Sequence, residues 1–456
     1  MNNINHISPL DGRYANKLTD VAKVFSEKAL MKYRCIVELK YVLALNDTKL
    51  FEPLTDAEIK SINAVINGFT DKDYLRIKEI ENTTRHDVKA CEIFLRERTE
   101  ISNVNLIHFG LTSEDVNNLA YTLMLNEYLT TIQKPQLIIL IEKLSQLTEK
   151  WKTIPFPCRT HGQKASPSTA GKEIAVYINR ILDVFTRLNT VKFKGKLNGA
   201  VGNFSAMLSA FPDFDWLNFS QDFLNNLGLE MNLATTQIED HDTWAYYFNL
   251  SKQLNNIVID LNTDCWLYIS QNLFSEKVVA NEVGSSTMPH KVNPINFENS
   301  EGNLMLANSL LNFIADKLCR SRMQRDLSDS TVQRNIGVGL SHSYLGISET
   351  LRGLNKLQIN EAYCLSELND SPELLAEPIQ TILKAVNIDD PYTLLKQATR
   401  GEIPTREKLM DLVKSLDIDQ AVKDRIYSLK VSDYIGDAER ICDLVLDKVK
   451  NTIDLT

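Results

Sequence analysis

The sequence predicts an all-α protein built around a bundle of long helices. Glycine (17) and proline (13) together supply 30 of the 456 residues, about 7% against an average usage near 12%, so few residues can punctuate a strand-and-turn fold. In addition, three long segments repeat apolar residues at spacings of three and four, which is the period of an amphipathic helix. Packing such stripes against each other makes a helical bundle.

The three apolar stripes follow one another along the middle of the chain. Their members are Leu137, Leu140, Ile141, Leu144, Leu147 and Trp151; Ile174, Ile178, Ile181, Phe185 and Leu188; and Leu250, Leu254, Ile257, Leu261, Cys265 and Tyr268. Pro135 is predicted to kink or interrupt the helical run before the first stripe, because proline lacks an N–H. The third stripe keeps a near-heptad spacing that also suits a helix shared between subunits. We therefore predict a homo-oligomer.

The chain is long enough for more than one core, and we predict three domains. Residues 1–111 form an N-terminal helical domain, residues 112–362 the central bundle, and residues 363–456 a C-terminal helical domain. Turn signals at 389–391 and 401–404 punctuate the more charged C-terminal region.

Composition excludes several functional classes. The formal net charge is -9, and no long Lys/Arg run offsets it, which argues against a nucleic-acid binder. The start lacks a signal-peptide pattern, and no segment approaches the roughly 20 apolar residues that span a bilayer, so we expect a cytoplasmic protein without membrane contact. The seven cysteines lack Cys-x-x-Cys spacing and are predicted to be reduced and mostly buried. Neither they nor the histidines show metal-ligand spacing, so no metal site is predicted.

The segment 284–294 is the most unusual stretch of the chain. It begins with glycine and hydroxyl residues, and Pro289 and Pro294 then constrain it. Asn293 and Pro294 are predicted to be the N-cap and first residue of a helix, whose positive end, with Lys291 nearby, would favour an anion. The same composition is also typical of a capped helix entered from a solvent-exposed loop.

The pattern Gly-Ser-Ser-x-Met-Pro-x-Lys-x-Asn-Pro at 284–294 resembles the signature loop of the fumarase/aspartase superfamily. Met-Pro-His-Lys at 288–291 resembles its adenylosuccinate lyase branch. Further resemblance covers residues 8–14, 83–87, 112–115, 159–163, 235–237, 330–334 and 434–436. The resemblance implies the three-domain helical fold of that superfamily. It also implies a homotetramer with active sites shared between subunits, and no cofactor.

The activity implied by the resemblance is removal of fumarate from two purine nucleotides in purine biosynthesis. Adenylosuccinate would give AMP, and succinylaminoimidazole carboxamide ribotide would give aminoimidazole carboxamide ribotide. Cleaving a carbon–nitrogen bond β to a carboxylate requires a base for a carbon-bound proton and an acid for the departing nitrogen. By resemblance Ser285 is the base and His161 the acid. Because a serine hydroxyl is a weak base, its anion needs stabilisation by backbone N–H groups, the helix end and Lys291.

The substrate carries a phosphate and two carboxylates, so this acidic chain must gather cationic groups locally. The candidates for the anionic groups are Arg13, Arg85, Lys291, Arg325 and Arg334, with Ser286, Asn293, Thr112 and Ser113 as carboxylate donors. The other substrate candidates are Tyr14, His86, Asp87, Gln237, Val292, Asn299, Ser330, Thr331, Val332 and Gln333. His86 is also a candidate for catalysis as an acid relay.

Most candidates have a structural alternative. The 112–115 segment fits a helix capping box as well as a carboxylate clamp. His86 could be a salt-bridged structural residue, His161 without its motif would be read as structural, and each arginine could be a solvated surface residue. His108 is read as core-facing because its neighbours are apolar. Lys164 departs from the family pattern, which usually has proline there, and leaves the local loop geometry open.

Three alternative functions remain open at this level: argininosuccinate lyase, a fumarase-type lyase, and a catalytically silent structural relative. The phosphate-pocket candidates distinguish the first two, as does Gly162, which follows His161 where those sister enzymes usually have leucine. Intact Ser285, His161 and Lys291 argue against a silent relative.

Overall fold

The structure, a computed structural model, describes residues 5–277, 292–398 and 404–453. Helices dominate these residues, which confirms the all-α prediction. The α-helices are α1 (Thr19–Phe25), α2 (Glu27–Asp47), α3 (Asp56–Asn67), α4 (Asp71–Thr84), α5 (Asp87–Arg98), α6 (Ser113–Glu127), α7 (Lys134–Trp151), α8 (Ala170–Asn189), α9 (Ser205–Ala210), α10 (Trp216–Asn226), α11 (Asp242–Ser270), α12 (Ile295–Leu318), α13 (Ser328–Gln333), α14 (Ile336–Lys356), α15 (Glu361–Asn369), α16 (Ala376–Ala385), α17 (Pro391–Ala398), α18 (Arg406–Ser415), α19 (Gln420–Tyr427) and α20 (Ala438–Ile453).

Short strands and turns connect these helices. Antiparallel pairs join β1 (Pro155–Phe156) to β4 (Ser168–Thr169), β2 (Arg159–Thr160) to β3 (Gln163–Lys164), and β7 (Phe274–Glu276) to β8 (Leu357–Ile359), while β5 (Lys194–Gly195) pairs in parallel with β6 (Glu230–Met231). Single 3₁₀ turns occur at Ala15–Lys17, Val104–Leu106, Pro372–Leu375 and Val431–Asp433.

The chain divides into two compact units. Unit 1 comprises Met1–Leu137, Arg187–Asn256 and Gly302–Ile347, and unit 2 comprises Ile138–Thr186, Ile257–Glu301 and Ser348–Thr456. Each division point falls within a long helix, namely α7, α8, α11, α12 or α14. The division into residues 1–111, 112–362 and 363–456 stays a prediction.

The three predicted stripes form helices α7, α8 and α11. Every member of the stripes is buried except Tyr268, which is half-buried. The interruption predicted near Pro135 is a π-helical segment, Tyr128–Gln133, between α6 and α7. Proline has no N–H for the usual α-helical hydrogen bond, and a π segment changes the hydrogen-bond register just before it.

In unit 1, a polar layer joins three helices of the bundle. The Asn255 side chain of α11 is buried. Its Nδ2 donates to Asn308 Oδ1 of α12 at 3.0 Å, and its Oδ1 accepts from Ser343 Oγ of α14 at 2.7 Å. One asparagine therefore bonds to both neighbouring helices.

In unit 2, the same pattern recurs seven residues later on α11. Asn262 is buried, its Nδ2 donates to Ser300 Oγ of α12 at 2.8 Å, and its Oδ1 accepts from Thr350 Oγ1 of α14 at 3.0 Å. Buried polar groups of this kind specify the register between helices, because sliding one helix would leave an amide unpaired in the core.

The C-terminal helices of unit 2 have a hydrophobic core cluster. Its buried members are Leu368, Leu375, Ile379, Leu383, Leu395, Leu409, Val413, Ile426 and Val431. Five of the seven cysteines are buried and Cys158 and Cys319 are half-buried, as predicted. In the parts of the chain that the structure describes, no helix combines the length and apolarity needed to cross a membrane.

Candidate active site

His161 lies at the tip of the β2–β3 hairpin in unit 2. Thr160 pairs with Gln163 across a two-residue loop, and the loop residues His161 and Gly162 have φ of 54° and 76°. Two positive φ values are typical of the type I′ turn that suits such hairpins. Gly162 adopts this conformation without strain, whereas a histidine rarely does, and such strain concentrates at functional sites. The turn exposes the imidazole to solvent.

Lys164, the departure from the family pattern, leaves this hairpin intact. It pairs with Arg159, and the adjacent Ala165 N–H donates to Cys158 O at 3.0 Å. In an antiparallel ladder, this places Lys164 at a position whose N–H points away from the partner strand. Proline and lysine are therefore both compatible with the ladder. The lysine ammonium donates instead to Ser371 Oγ at 2.7 Å.

The α4–α5 junction in unit 1 holds three candidates. Arg85 ends α4 in the left-handed conformation, with φ of 56°, and is exposed. His86 is the N-cap of α5, and its Nδ1 accepts from Lys89 N at 3.2 Å. Asp87 begins α5, where a carboxylate favours the positive end of the helix. The structural alternative for His86 was a salt bridge, but its short contact is the helix cap: Nδ1 lies 3.9 Å from Asp87 Oδ1, and the side chain is 52% exposed.

Asp87 is tied to two arginines. Its Oδ2 lies 2.8 Å from Arg34 Nη2 and 2.7 Å from Arg334 Nη2. Burial raises the pKa of the Asp87 carboxyl, but the two arginines outweigh burial and lower it to about 2. The structure therefore brings together two predicted site residues, Asp87 and Arg334, that are 247 positions apart.

Arg325 is held by two carboxylates of unit 1. Its Nη2 lies 3.0 Å from Glu114 Oε2 and its Nε lies 3.3 Å from Asp329 Oδ2. Burial raises the pKa of Glu114 to about 7, although the positive charge of Arg325 acts in the opposite direction. This guanidinium is mostly buried, so the surface alternative considered for Arg325 is wrong.

The 330–334 segment follows Arg325 in the sequence; its first four residues belong to α13, and Arg334 is the C-cap of that helix. Ser330 is half-buried, Thr331 is exposed, and Val332 and Gln333 are buried. The Gln333 Nε2 lies 3.3 Å from Nε2 of the fully buried His241. Burial lowers the pKa of His241 to about 4, so its neutral ring can accept a hydrogen bond from the amide.

Thr112 confirms the capping alternative, because it is the N-cap of α6. Its N–H donates to Asp115 Oδ2 at 2.8 Å. The other oxygen of this fully buried carboxylate accepts from Lys196 Nζ, also fully buried, at 2.8 Å. The ammonium further donates to the carbonyls of Gly199 and Gln237, each at 2.9 Å. Capping places Thr112 and Ser113 at the positive end of α6 and leaves both half-buried.

Replacing Lys196 with methionine is expected to lower the free energy of unfolding by about 3–5 kcal/mol, because it leaves the Asp115 charge buried without its cation. The measurement is the urea midpoint at fixed protein concentration. Lys192→Met, an exposed control on the same segment, should change stability by no more than about 0.5 kcal/mol. An unchanged midpoint for Lys196→Met would contradict the ion-pair account.

A cleft of about 380 Å³ brings His86 and Ser113 together in unit 1. Thr84, Val88, Lys89, Glu92 and His108 complete its lining. The prediction that His108 faces the core is correct only in part. Leu106 and Ile107 are buried, whereas the His108 side chain is 19% exposed, contacts the fully buried Glu38 and also lines this cleft.

The buried carboxylate of Glu38 orients His108. His108 N donates to Glu38 Oε2 at 3.1 Å, and Nδ1 lies 2.6 Å from Oε1. Burial lowers the pKa of His108, but the hydrogen bond to Glu38 outweighs it and leaves the pKa raised. His108 is therefore a site candidate that sequence reasoning missed. The sequence contained one indication of a turn at this point, Gly110, two residues after His108. In the structure Gly110 has a φ of 68°.

Arg13, Tyr14 and Gln237 are the remaining candidates of unit 1. Arg13 is exposed and Tyr14 is half-buried, with the Lys17 ammonium 5.8 Å from its ring centroid. The Gln237 side chain donates to Ala200 O at 3.1 Å.

In unit 2, α12 begins at Ile295, one residue later than predicted, and Phe297 N donates to Pro294 O at 3.1 Å. Val292 is exposed, and Asn293 and Asn299 are half-buried. Three predicted residues, Ser285, Ser286 and Lys291, lie outside the described residues.

Each unit carries its own acid–base or cationic side chains. Unit 1 has His86, His108 and two arginines held by carboxylates, and unit 2 has His161. Within residues 5–277, 292–398 and 404–453, no group of three or more His, Cys, Asp or Glu side chains could hold a metal ion. Proton transfer and binding of an anionic ligand are the chemistry these groups can perform.

Comparisons with known proteins agree with this chemistry. Residues 12–308 match the lyase family model, and residues 321–435 match the adenylosuccinate lyase C-terminal model. The chain is 45% identical to adenylosuccinate lyase from Haemophilus influenzae, covering 96% of this chain and 98% of the relative. It is 43% identical to adenylosuccinate lyase from Escherichia coli K12, covering 97% and 99%.

Two solved structures share the fold at low identity. The 3-carboxy-cis,cis-muconate lactonizing enzyme from Pseudomonas putida has a TM-score of 0.76 at 18% identity, covering 95% of this chain and 98% of that chain. The fumarate lyase from Mesorhizobium sp. BNC1 has a TM-score of 0.78 at 16% identity, covering 94% and 97%. With both regions of the chain matched and relatives above 40% identity over almost its whole length, the chain belongs to the adenylosuccinate lyase family of the fumarase/aspartase superfamily.

Proposed function

We propose that this chain removes fumarate from adenylosuccinate to give AMP, and from succinylaminoimidazole carboxamide ribotide to give aminoimidazole carboxamide ribotide, in cytoplasmic purine biosynthesis. The observation that carries the proposal is the 45% identity over 96% of the chain with a curated adenylosuccinate lyase. The carboxylate-held arginines of unit 1 support it, since a substrate with a phosphate and two carboxylates needs fixed cations.

In the proposed reaction, Ser285 removes a proton from the carbon β to the departing nitrogen. The electron pair forms the new carbon–carbon double bond as the carbon–nitrogen bond breaks, and His161 protonates the nitrogen. Lys291, Ser286 and Asn293 stabilise the negative charge that accumulates on the succinyl carboxylate. The exposed imidazole at the tip of a rigid two-residue turn supports the role of His161, because a general acid must reach its substrate in a fixed direction.

The anionic groups of the nucleotide are assigned to the arginines. Arg325 and Arg334 each keep a paired carboxylate, so their guanidinium planes are oriented before the ligand arrives, which favours binding. Arg13 and Arg85 are exposed and complete the cationic set. Hydrogen bonds to the substrate are assigned to the cleft residues His86 and Ser113 and to Thr112 at the adjoining helix end. Further substrate contacts are assigned to Tyr14, Gln237 and Asn299.

We also propose a homotetramer with active sites shared between subunits. One support is the apolar surface of α12 in unit 1, where Met305, Leu306 and Phe313 are 56%, 55% and 54% exposed. Leu306 and Phe313 are seven residues apart, so they lie on the same side of the helix about two turns from each other, and Met305 lies next to Leu306 in the sequence. Large apolar side chains exposed on one side of a helix favour a contact with another subunit.

The purified protein is expected to cleave adenylosuccinate, to leave argininosuccinate unchanged, and to keep its rate in EDTA. Three reactions are followed separately by absorbance: cleavage of adenylosuccinate, cleavage of argininosuccinate and hydration of fumarate. Turnover of argininosuccinate alone would overturn the purine assignment, hydration of fumarate alone would indicate a fumarase-type enzyme, and no turnover of any compound would favour a silent structural relative.

A further inference from the structure

A continuous chain of hydrogen bonds and ion pairs connects the two carboxylate-held arginines of unit 1. From Arg325 the first link is Glu114, which accepts through Oε2 at 3.0 Å. Asn117 is the second link, because its Nδ2 donates to the same Glu114 oxygen at 3.3 Å. The Asn117 Oδ1 then accepts from Arg34 Nε at 2.9 Å. Arg34 therefore continues the chain from α6 to α2.

The chain closes on the second arginine through Asp87. The Arg34 Nη2 lies 2.8 Å from Asp87 Oδ2, and the Arg334 Nη2 lies 2.7 Å from the same oxygen. Two carboxylate oxygens thus each serve two partners. Among the described residues, the remaining oxygen of Glu114, Oε1, has no hydrogen-bond partner, so every observed tie to that carboxylate passes through Oε2.

The middle of the chain of contacts is buried, whereas its Arg334 end is exposed. Arg34 and Asn117 are 2% and 9% exposed, whereas the Arg334 side chain is 42% exposed. A buried asparagine that donates to a carboxylate and accepts from a guanidinium can adopt only one amide orientation. The buried links are therefore fixed in direction, and the exposed end is free to meet a ligand.

We propose that Asn117 and Arg34 are positioning residues, which hold the guanidinium groups of Arg325 and Arg334 at a fixed separation. The inference rests on the proposed function, in which these groups bind the anionic parts of the substrate. Neither positioning residue touches the substrate in this scheme. The buried Arg34 neutralises the Asp87 carboxylate. One hydrogen bond from Arg334 to that carboxylate then sets the orientation of its guanidinium, and its other N–H groups are left for the ligand in this scheme.

Asn117→Leu is the direct test, because leucine has a similar volume and cannot form either hydrogen bond. We expect the KM for adenylosuccinate to rise about 10-fold, with kcat changed less than about 3-fold. In Arg334→Gln, the KM should also rise. In the double variant, the KM should exceed that of Arg334→Gln, because Asn117 also holds Arg325 through Glu114, but it should stay below the product of the two increases, because coupled residues are not additive. If the two KM increases multiply, Asn117 does not act through Arg334 and the inference fails.

The matched control is Gln133→Leu, which replaces another buried amide with two side-chain hydrogen bonds, to Ser251 and Tyr247, in the same unit. It should lower thermal stability while leaving KM unchanged, which separates a positioning effect from general destabilisation. If Asn117→Leu does not fold, Asn117→Asp keeps the acceptor for Arg34 and removes the donor to Glu114. Its KM should rise at least about 3-fold, and an unchanged value would overturn the inference.

These outcomes are distinguishable from failure of the proposed function. A wild-type protein that does not cleave adenylosuccinate removes the proposed function at the outset. An active wild type whose KM is unaffected by Asn117→Leu, while Arg334→Gln raises it, removes only the positioning role.

Discussion

His161→Asn is expected to lower kcat for adenylosuccinate by about 10²- to 10⁴-fold, the contribution of a general acid. Asparagine is the appropriate replacement because it tolerates the positive φ that this turn position requires, 54° in the wild type. The imidazole is lost while the hairpin is kept. Since the side chain is exposed, the melting temperature and the mass measured by light scattering should not change.

The control for this variant lies in the same hairpin. Lys164→Gln removes the hydrogen bond from the ammonium to Ser371 and changes no group to which a chemical role is assigned. It should keep most of the activity. A rate for His161→Asn near that of the wild type would exclude His161 as the acid, and an equal loss in both variants would indicate that hairpin geometry, and not the imidazole, is responsible.

Ser285→Ala is expected to lower kcat by about 10³-fold or more, because the variant has no hydroxyl to accept the carbon-bound proton. The loss should appear equally in kcat and kcat/KM, since the proposed base acts only in the transition state. AMP does not need that proton transfer to bind. Its dissociation constant, measured by titration calorimetry, should therefore remain within a few-fold of the wild-type value.

Thr287→Ala is the matched control in the same loop, since no chemical role is assigned to that hydroxyl. Comparable rate losses in the two variants would point to altered loop structure. Activity of Ser285→Ala within about tenfold of the wild type would assign proton removal to another group, and His108, which lines the cleft with His86, would be the next residue to replace.

The long helices were predictable because their information is local. In α7, α8 and α11, the apolar residues recur with the period of the helix, and that period requires only neighbouring residues. The two-residue hairpin at His161 was not predicted, because only its second loop residue, Gly162, is of a type that dominates tight turns. Periodicity could not identify the residues of the candidate site. They were identified from motifs that resemble those of the family.

The contacts between candidate residues could not be predicted from local pattern. Asp87 and Arg334 are 247 positions apart, and no sequence period joins them. Lys196 and Asp115 are both fully buried, although lysine and aspartate are usually surface residues. Burial of such a pair depends on two segments meeting in three dimensions. The position of His108 at the cleft was missed for a related reason, since its apolar neighbours indicate that the segment is buried and do not indicate which groups its ring meets.

The paired amides of α11 have a consequence for catalytic precision. Helix α12 begins at Ile295, directly after the segment that contains Ser285 and Lys291, and its Ser300 is bonded to Asn262. An axial slip of α12 past α11 would break that bond and move the end of the segment by the same distance. A displacement of about 1 Å can cost about 10²-fold in rate. The hydrogen bond from Asn262 to Ser300 therefore opposes axial movement of α12, and under the proposed mechanism a residue that takes no part in the reaction would limit how far the proposed base can be displaced.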